Sequence, residues 1–461
     1  MLVHHLFDPS DSRPLHFLGI GGAGMSALAL AARRRGIVVS GCDTEEAAFP
    51  DLQAAGISTF SAPDTQHPLG ARALVVTAAA AADHPEIVAA RAAGVPVVPR
   101  KVALAELVNG GTLVALSGTH GKTTTTVMTT LALRAAGLAA SGLAGGRVAA
   151  WGGNALLDDG NLFVVEADEY DQAFLTLQPT VAVVNNVEAD HLECYASLEA
   201  MEDAYVTFAS RAAHRFIGTA DAGSDRVARR IGNGVIRFGL EDAADIRLNV
   251  IAADETGSRA TVTFPDRLAV ELRLQVPGLH NLRNATAALA ATRALGGDCQ
   301  VAAAALADFG GVGRRFERLG DAGGISYVDD YAHHPTELAV TLAAARQAFP
   351  GRRLVAAFQP HLYSRTRQHG AEMGRLLAAA DLVIVTDVYA AREAPVEGVS
   401  GKLVADAAMM AGAMVCYEPR RSALSDEVRG LLRAGDVLLT MGAGDITLVG
   451  RELLASTDAD S

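Results

Sequence analysis

Residues 113 to 126 read LVALSGTHGKTTTT: an apolar run of strand length, a glycine turn, then a lysine and four threonines opening a helical pattern. That order suits phosphate chemistry. Backbone amides of Gly118, Thr119, His120 and Gly121 can cradle phosphate oxygens, Lys122 can reach the terminal phosphates, the Thr123 hydroxyl lies where magnesium is held, and Thr124 follows it on the ATP side. The turn is short, since its glycines are three apart where the common phosphate loop sets them about five apart. Lysine is scarce in this chain, occurring only as Lys101, Lys122 and Lys402. The alternative is a glycine turn beside a solvated lysine.

A second glycine turn comes earlier, in LHFLGIGGAG (15 to 24). Gly19, Ile20, Gly21, Gly22 and Gly24 lead into a helix starting near Met25, whose amides point at an anion, and Asp43 stands where an acid can hold a ribose. The spacing fits a dinucleotide, another diphosphate, or a bare strand-to-helix turn. Two acidic stretches follow the phosphate loop. VVEADEYD (164 to 171) puts Glu166 at the end of a strand, where a carboxylate is a natural magnesium ligand, while Asp168, Glu169 and Asp171 read as a solvated acidic turn. NNVEADHLE (185 to 193) ends the next strand and contains His191. Magnesium prefers oxygen, so by chemistry alone this histidine reads as structural.

These residues need a scaffold that brings strand ends together. Apolar runs alternate with helical patterns throughout, which predicts parallel sheets flanked by helices. One stretch, roughly 245 to 277, alternates without a helix and reads as a β insertion. Glycine-rich seams at 109–111 and 309–313 divide the 461 residues into three expected α/β domains, 1–109, 110–313 and 314–461. A formal charge of −13 argues against nucleic-acid and anionic-membrane partners. No apolar run reaches the length of a membrane span, and the first residues lack a signal-peptide layout, so a cytoplasmic location is expected. Cys42, Cys194, Cys299 and Cys416 are scattered, which supports neither a disulfide framework nor a zinc cluster.

The shortened GTHGKTT loop resembles the ATP site of the Mur ligases and of the related folylpolyglutamate synthetases. HFLGIGGAGMSALA with Asp43 then looks like the family's UDP-sugar turn. The resemblance continues along almost the whole chain and implies Rossmann-like outer domains around a P-loop ATPase domain. In HNLRNATAA (280 to 288) it assigns His280, Asn281 and Asn284 to ATP, although by spacing alone these are a helix start. In GVGRRFE (311 to 317) Arg315 is matched to an arginine that reaches the ATP phosphates. In DDYAHHPTE (329 to 337) Asp330 is matched to the nucleotide, and Tyr331 and His333 to the reacting centre. His361 and Arg365 of FQPHLYSRT (358 to 366) are matched to the amino acid, and His191 to a second magnesium. The catalytic set implied is Lys122, His191, Arg315 and His333, with ATP and Mg2+ as cofactors.

The expected reaction is amide formation between an amino acid and the carboxylate of a UDP-sugar through an acyl phosphate, in peptidoglycan precursor synthesis. Delivery of substrates by separate domains implies closure around the acyl phosphate. Acid-adding members of the family use a carbamylated lysine beyond the metal histidine, and residues 192 to 214 contain no lysine, which favours the alanine-adding branch. Some relatives carry arginine where this chain has Leu362, so the resemblance implies a positive contact that is either missing here or replaced, for instance by Arg367. The alternatives are a murein peptide ligase acting on the same UDP-sugar, an NAD-dependent oxidoreductase built on GIGGAG, and a silent nucleotide sensor.

Overall fold

The computed structural model describes residues 6–190, 194–391 and 393–459. Its first sheet has five parallel strands in the order Ser58–Phe60, Val39–Cys42, Leu15–Leu18, Ala73–Val76, Val97–Pro99. Parallel strands are covered on both faces, which explains why they read as unbroken apolar runs. Phe17 and Val75 pack with Leu28 of the helix Ala23–Arg34 on one side. Leu18, Cys42 and Leu74 pack with Ile87 and Ala90 of the helix Pro85–Ala92 on the other. Leu15–Leu18 lies between the strands that follow it in sequence, so the strand order reverses there and the glycine turn opens into the crevice.

The second sheet has ten strands. At its centre Thr112–Ser117 pairs in parallel with Val181–Val184 on one side and Leu162–Glu166 on the other. In register, Ser117 meets Val184 and Leu116 meets Glu166, so three strands end together beside the phosphate loop. The expected insertion forms the strands Ile246–Asp254, Gly257–Thr263 and Ala269–Leu274 at one edge, with no helix between them. A six-stranded sheet closes the chain, in the order Glu317–Ala322, Ile325–Asp330, Val437–Met441, Leu354–Phe358, Leu382–Val385, Val415–Tyr417. Only its first pair is antiparallel.

The α/β architecture with largely parallel sheets is the one expected from the alternating pattern. Contacts divide the chain into two compact units. One is Met1–Asn249 with Ala260–Leu272 and Arg283–Asp308; the other is Val250–Arg259 with Arg273–Leu282 and Phe309–Ser461. Within the first unit, Ala23–Arg34 packs on the strands Ala140–Val148 and Gly153–Leu156. There Asn154 Nδ2 donates to Ser26 Oγ at 2.8 Å, which pins the helix behind the glycine turn.

Candidate active site

The phosphate loop joins Thr112–Ser117 to the helix Lys122–Ala135. Gly121 caps that helix with φ +80°, and a Cβ there would lie 2.7 Å from Asn284 Oδ1, so both backbone and space require glycine. The same contact brings Asn284 to the loop. Part of the expected cradle is otherwise engaged. Thr119 N donates to Asn186 O (3.1 Å) and His120 N to Asn186 Oδ1 (2.7 Å), while Asn186 Nδ2 returns a bond to His120 O (3.1 Å). Asn186 thus fixes the loop and leaves the amides of residues 122–124, which as the first turn of a helix have no intrahelical acceptor, as the candidate anion donors. Glu188 completes the frame. Its N–H donates to Thr119 Oγ1 (2.8 Å) and its carboxylate lies 3.3 Å from His120 Nε2.

Lys122 is folded back over the turn. Its Nζ donates to Gly118 O (2.7 Å), Thr119 O (3.3 Å) and both carboxylate oxygens of Glu169 (2.9 Å each). Burial pushes the ammonium pKa down, but the carboxylates of Glu169, Asp168 and Glu166 outweigh it, and the net shift is upward. Lys101 and Lys402, by contrast, make outlying pairs with Asp171 and Asp406. Glu169 corrects the solvated-turn expectation for its stretch: its side chain is 2% exposed. Glu166 stands at the end of Leu162–Glu166, as expected, and accepts a hydrogen bond from Gly145 N. Thr123 and Thr124 are buried at the helix start. With Glu166 on the adjoining strand end, these offer oxygen donors suited to a hard divalent cation. His191 lies outside the described residues.

At the first glycine turn, Asp43 is bound to the loop itself. Its Oδ2 accepts from Gly21 N (2.8 Å) and its Oδ1 from Glu45 N (3.0 Å), so the acid expected to hold a ribose fastens the turn. A Cβ on Gly21 would lie 2.1 Å from Glu45 O. The side chains of Ile20 and Met25 point into the core, which leaves only their backbone for a ligand. Gly19 and Gly22 form the rest of the turn, Gly24 lies in the first turn of the helix Ala23–Arg34, and Arg100 stands over it: a Cβ on Gly24 would lie 2.7 Å from Arg100 Nη1. Spacing did not point to this arginine, because it comes from a different strand-to-helix junction, at the start of Arg100–Val108.

In the second unit, two residues without the freedom of glycine adopt left-handed backbone at the seam, Arg314 (φ +58°) and Phe316 (φ +51°). Both are held. Arg314 Nη2 donates to Gly442 O (2.7 Å) and Gly444 O (3.1 Å), and Phe316 N donates to Asp330 Oδ2 (2.7 Å). Asp330 Oδ1 accepts from Ala332 N (2.8 Å). Expected to face the nucleotide, Asp330 is buried with both oxygens committed to backbone; burial raises its pKa to about 6, against the pull of Arg315. The guanidinium groups of Arg314 and Arg315 lie over the Tyr331 ring at 4.7 and 5.1 Å.

His333 Nδ1 lies 2.9 Å from Tyr331 O, which can only accept, so this nitrogen carries the proton and Nε2 is the basic one. Glu337, unassigned from sequence, accepts from His333 N (3.0 Å) and lies 3.6 Å from Arg315 Nη1. The His361 ring faces His333 at 5.9 Å and stacks on Tyr389, a residue no motif flagged. Arg365, in the first turn of Tyr363–Leu377, is buried and its Nη1 is 3.4 Å from His361 Nδ1; Arg367 is exposed. Leu362, between them and the strand, is buried with φ +66°. Tyr331, His333, His361 and Arg365 therefore gather at one end of the six-stranded sheet. His280 and Asn281 open the helix Leu279–Ala294, where Asn281 Nδ2 donates to Pro277 O (2.7 Å) and so secures the helix start.

Family models cover most of the chain: the Mur ligase family catalytic domain at residues 14–112, the Mur ligase middle domain at 116–292 and the Mur ligase glutamate ligase domain at 314–444. The chain belongs to the Mur ligase family. It is 46% identical to UDP-N-acetylmuramate–L-alanine ligase of Kineococcus radiotolerans, with 95% of each chain covered, and 42% identical to the ligase of the same name from Cutibacterium acnes, with 97% of each covered. Among solved structures it matches UDP-N-acetylmuramate-alanine ligase of Thermotoga maritima (TM-score 0.85, 29% identity, 97% of this chain and 100% of that one). It also matches a murein peptide ligase of Psychrobacter arcticus (TM-score 0.72, 26% identity, 96% and 98% covered). These likenesses give no support to an oxidoreductase.

Proposed function

We propose that this Mur ligase joins L-alanine to the carboxylate of UDP-N-acetylmuramate at the expense of ATP, in the cytoplasm, as a step of peptidoglycan precursor synthesis. The carrying observation is that the loop leading to Lys122 and Thr123 leaves a strand whose end adjoins the end of the strand bearing Glu166. Full-length similarity to the alanine-adding enzymes supports the choice of substrates. Among the described residues no helix is long and apolar enough to cross a membrane.

A carboxylate is a poor electrophile, and its charge repels the phosphate that could activate it. Transfer of the γ-phosphate onto the sugar carboxylate makes an acyl phosphate. Attack by the alanine amine through a tetrahedral intermediate then forms the amide and releases phosphate. Positioning and charge neutralisation account for most of the first step. The amides of residues 122–124 and Lys122 hold the terminal phosphates, and the incoming phosphate competes with Glu169 for the ammonium. A magnesium ion on Thr123 and Glu166 would supply further neutralisation of the phosphate charge. His333 Nε2 is the candidate acceptor for the amine proton, and Arg365 the candidate clamp for the alanine carboxylate.

The test is phosphate release with ATP and every combination of UDP-N-acetylmuramate, L-alanine, glycine, L-serine and a recycled tripeptide. Release needs ATP, the UDP-sugar and L-alanine together. Equal release without the sugar nucleotide would refute the ligase reading, and a requirement for the tripeptide in place of alanine would move the protein to the peptide-ligase branch.

A further inference from the structure

Four potential metal ligands meet on the face of the first sheet covered by Pro85–Ala92. Period-two alternation and the parallel register, with His16 opposite Ser40 and Leu18 opposite Cys42, put His16 and Cys42 on one face of neighbouring strands. The helix brings Glu86 onto that face, and His67 arrives from the loop before Ala73–Val76. One donor atom from each of the four lies within 4.8 Å of the other three. Glu86 is the hub: its Oε1 lies 3.0 Å from Cys42 Sγ and 2.9 Å from His67 Nδ1, and its Oε2 lies 3.3 Å from His16 Nε2. His16, Cys42 and Glu86 are buried, and His67 is largely so.

We propose that His16, Cys42, His67 and Glu86 form a structural zinc site. The donor set is two imidazoles, one thiolate and one carboxylate. Nitrogen and sulfur donors select a borderline-soft ion such as zinc over magnesium, and four protein ligands make a closed, non-catalytic centre. Tetrahedral bonds of about 2.0–2.3 Å need ligand atoms about 3.3–3.8 Å apart, so zinc entry lengthens the shorter Glu86 contacts by about half an ångström and holds the other pairs, all within 4.8 Å, near the same spacing. The outer contacts suit this role. His16 Nδ1 lies 2.8 Å from Ser40 Oγ, which can hold the ring proton away from the metal-facing Nε2, and Asp64 N donates to Glu86 Oε1 at 3.1 Å. Loading breaks the Cys42 S–H bond, forms a Zn–S bond and releases the proton to solvent. His67 must bind through a neutral Nδ1, so its remaining proton moves to Nε2.

Sequence spacing gives no hint of this site, because its ligands come from two strands, a loop and a helix. Its position gives it a use. Cys42 precedes Asp43, the residue that clasps Gly21, so the metal would stiffen the strand end that holds the sugar-nucleotide turn.

The probe is cobalt(II) added to full-length protein stripped with a chelator. We expect one equivalent of cobalt, a thiolate-to-cobalt charge-transfer band with the intense visible bands of a tetrahedral site, displacement by zinc, and a higher Tm with zinc. Cys42→Ser keeps a hydrogen-bond donor to Glu86 but loses the charge-transfer band, weakens zinc binding at least tenfold and loses the zinc-dependent rise in Tm. Absence of the band from the parent protein overturns the proposal whether or not the variant folds. Persistence of the full band in Cys42→Ser does so too, by assigning it to Cys194, Cys299 or Cys416.

Discussion

Removing Lys122 should affect both catalysis and folding, and the folding effect can be worked from its contacts. Its ammonium lies 2.9 Å from both oxygens of Glu169, and the two side chains are only 16% and 2% exposed. Lys122→Ala therefore leaves a carboxylate uncompensated in a buried place. Breaking such a pair from one side costs about 3–5 kcal/mol, and partial access of water to the lysine reduces this to roughly 2–4 kcal/mol. Glu169→Gln costs less, about 1–2 kcal/mol, because Gly118 O and Thr119 O still accept from the ammonium. In the double variant the orphaned charge is gone, so the losses fall short of their sum by about 2 kcal/mol. Scanning calorimetry without nucleotide, at neutral pH and physiological salt, measures this as a double variant that melts above Lys122→Ala. Strictly additive losses would refute the buried pair. Lys122→Ala should also abolish phosphate release while still binding UDP-N-acetylmuramate, since Gly21 and Asp43 do not depend on the lysine; calorimetric loss of that binding in a folded variant would contradict the separation.

Glu166→Gln keeps an acceptor for Gly145 N but offers a poorer ligand to a hard cation, so the magnesium needed for half-maximal turnover should rise at least tenfold; an unchanged titration returns Glu166 to a purely structural place. Arg365→Ala should raise the KM for alanine by about a hundredfold, the equivalent of 2–3 kcal/mol for a lost charge-assisted pair, with the KM for the UDP-sugar nearly unchanged. Arg365→Lys should recover part of the loss, and equal changes in both constants would remove Arg365 as the clamp. Asp330 has a folded pKa of about 6 against an ordinary 3.8, so the folded state binds the extra proton and stability falls as pH rises from about 4 to 7. The difference corresponds to roughly 3 kcal/mol, and Asp330→Asn should flatten this part of the Tm–pH profile; an identical slope in the variant would rule Asp330 out as its source.

Elements were legible in the sequence where local pattern and tertiary demand coincide. Buried parallel strands are continuous apolar runs, so LVALS, LFVVE and VAVV were read correctly as strands ending beside the phosphate loop. Partnerships across distant segments were less visible. DEYD looks like a solvated turn until the fold carries Glu169 under Lys122, 47 residues away in sequence. Asn284 looks like a helix start until it meets Gly121, and Asn186 carries no signal for its bonds to the loop. Asp43 stood at the right spacing, but spacing does not say whether a carboxylate binds a ligand or the main chain that will bind it. Arg365 could not be told from a surface arginine, since its burial depends on how the helix Tyr363–Leu377 packs.

The clasp at the first glycine turn bears on drug resistance. A side chain on Gly21 would collide with the Glu45 carbonyl, and loss of the Asp43 carboxylate would release the amide it holds, so neither position can change without disturbing its neighbour. Most binding surfaces can escape an inhibitor by exchanging a side chain. A compound that takes its affinity from the main chain of this turn meets few such exchanges: a substitution that removes its contacts also disturbs the turn proposed to seat the sugar nucleotide.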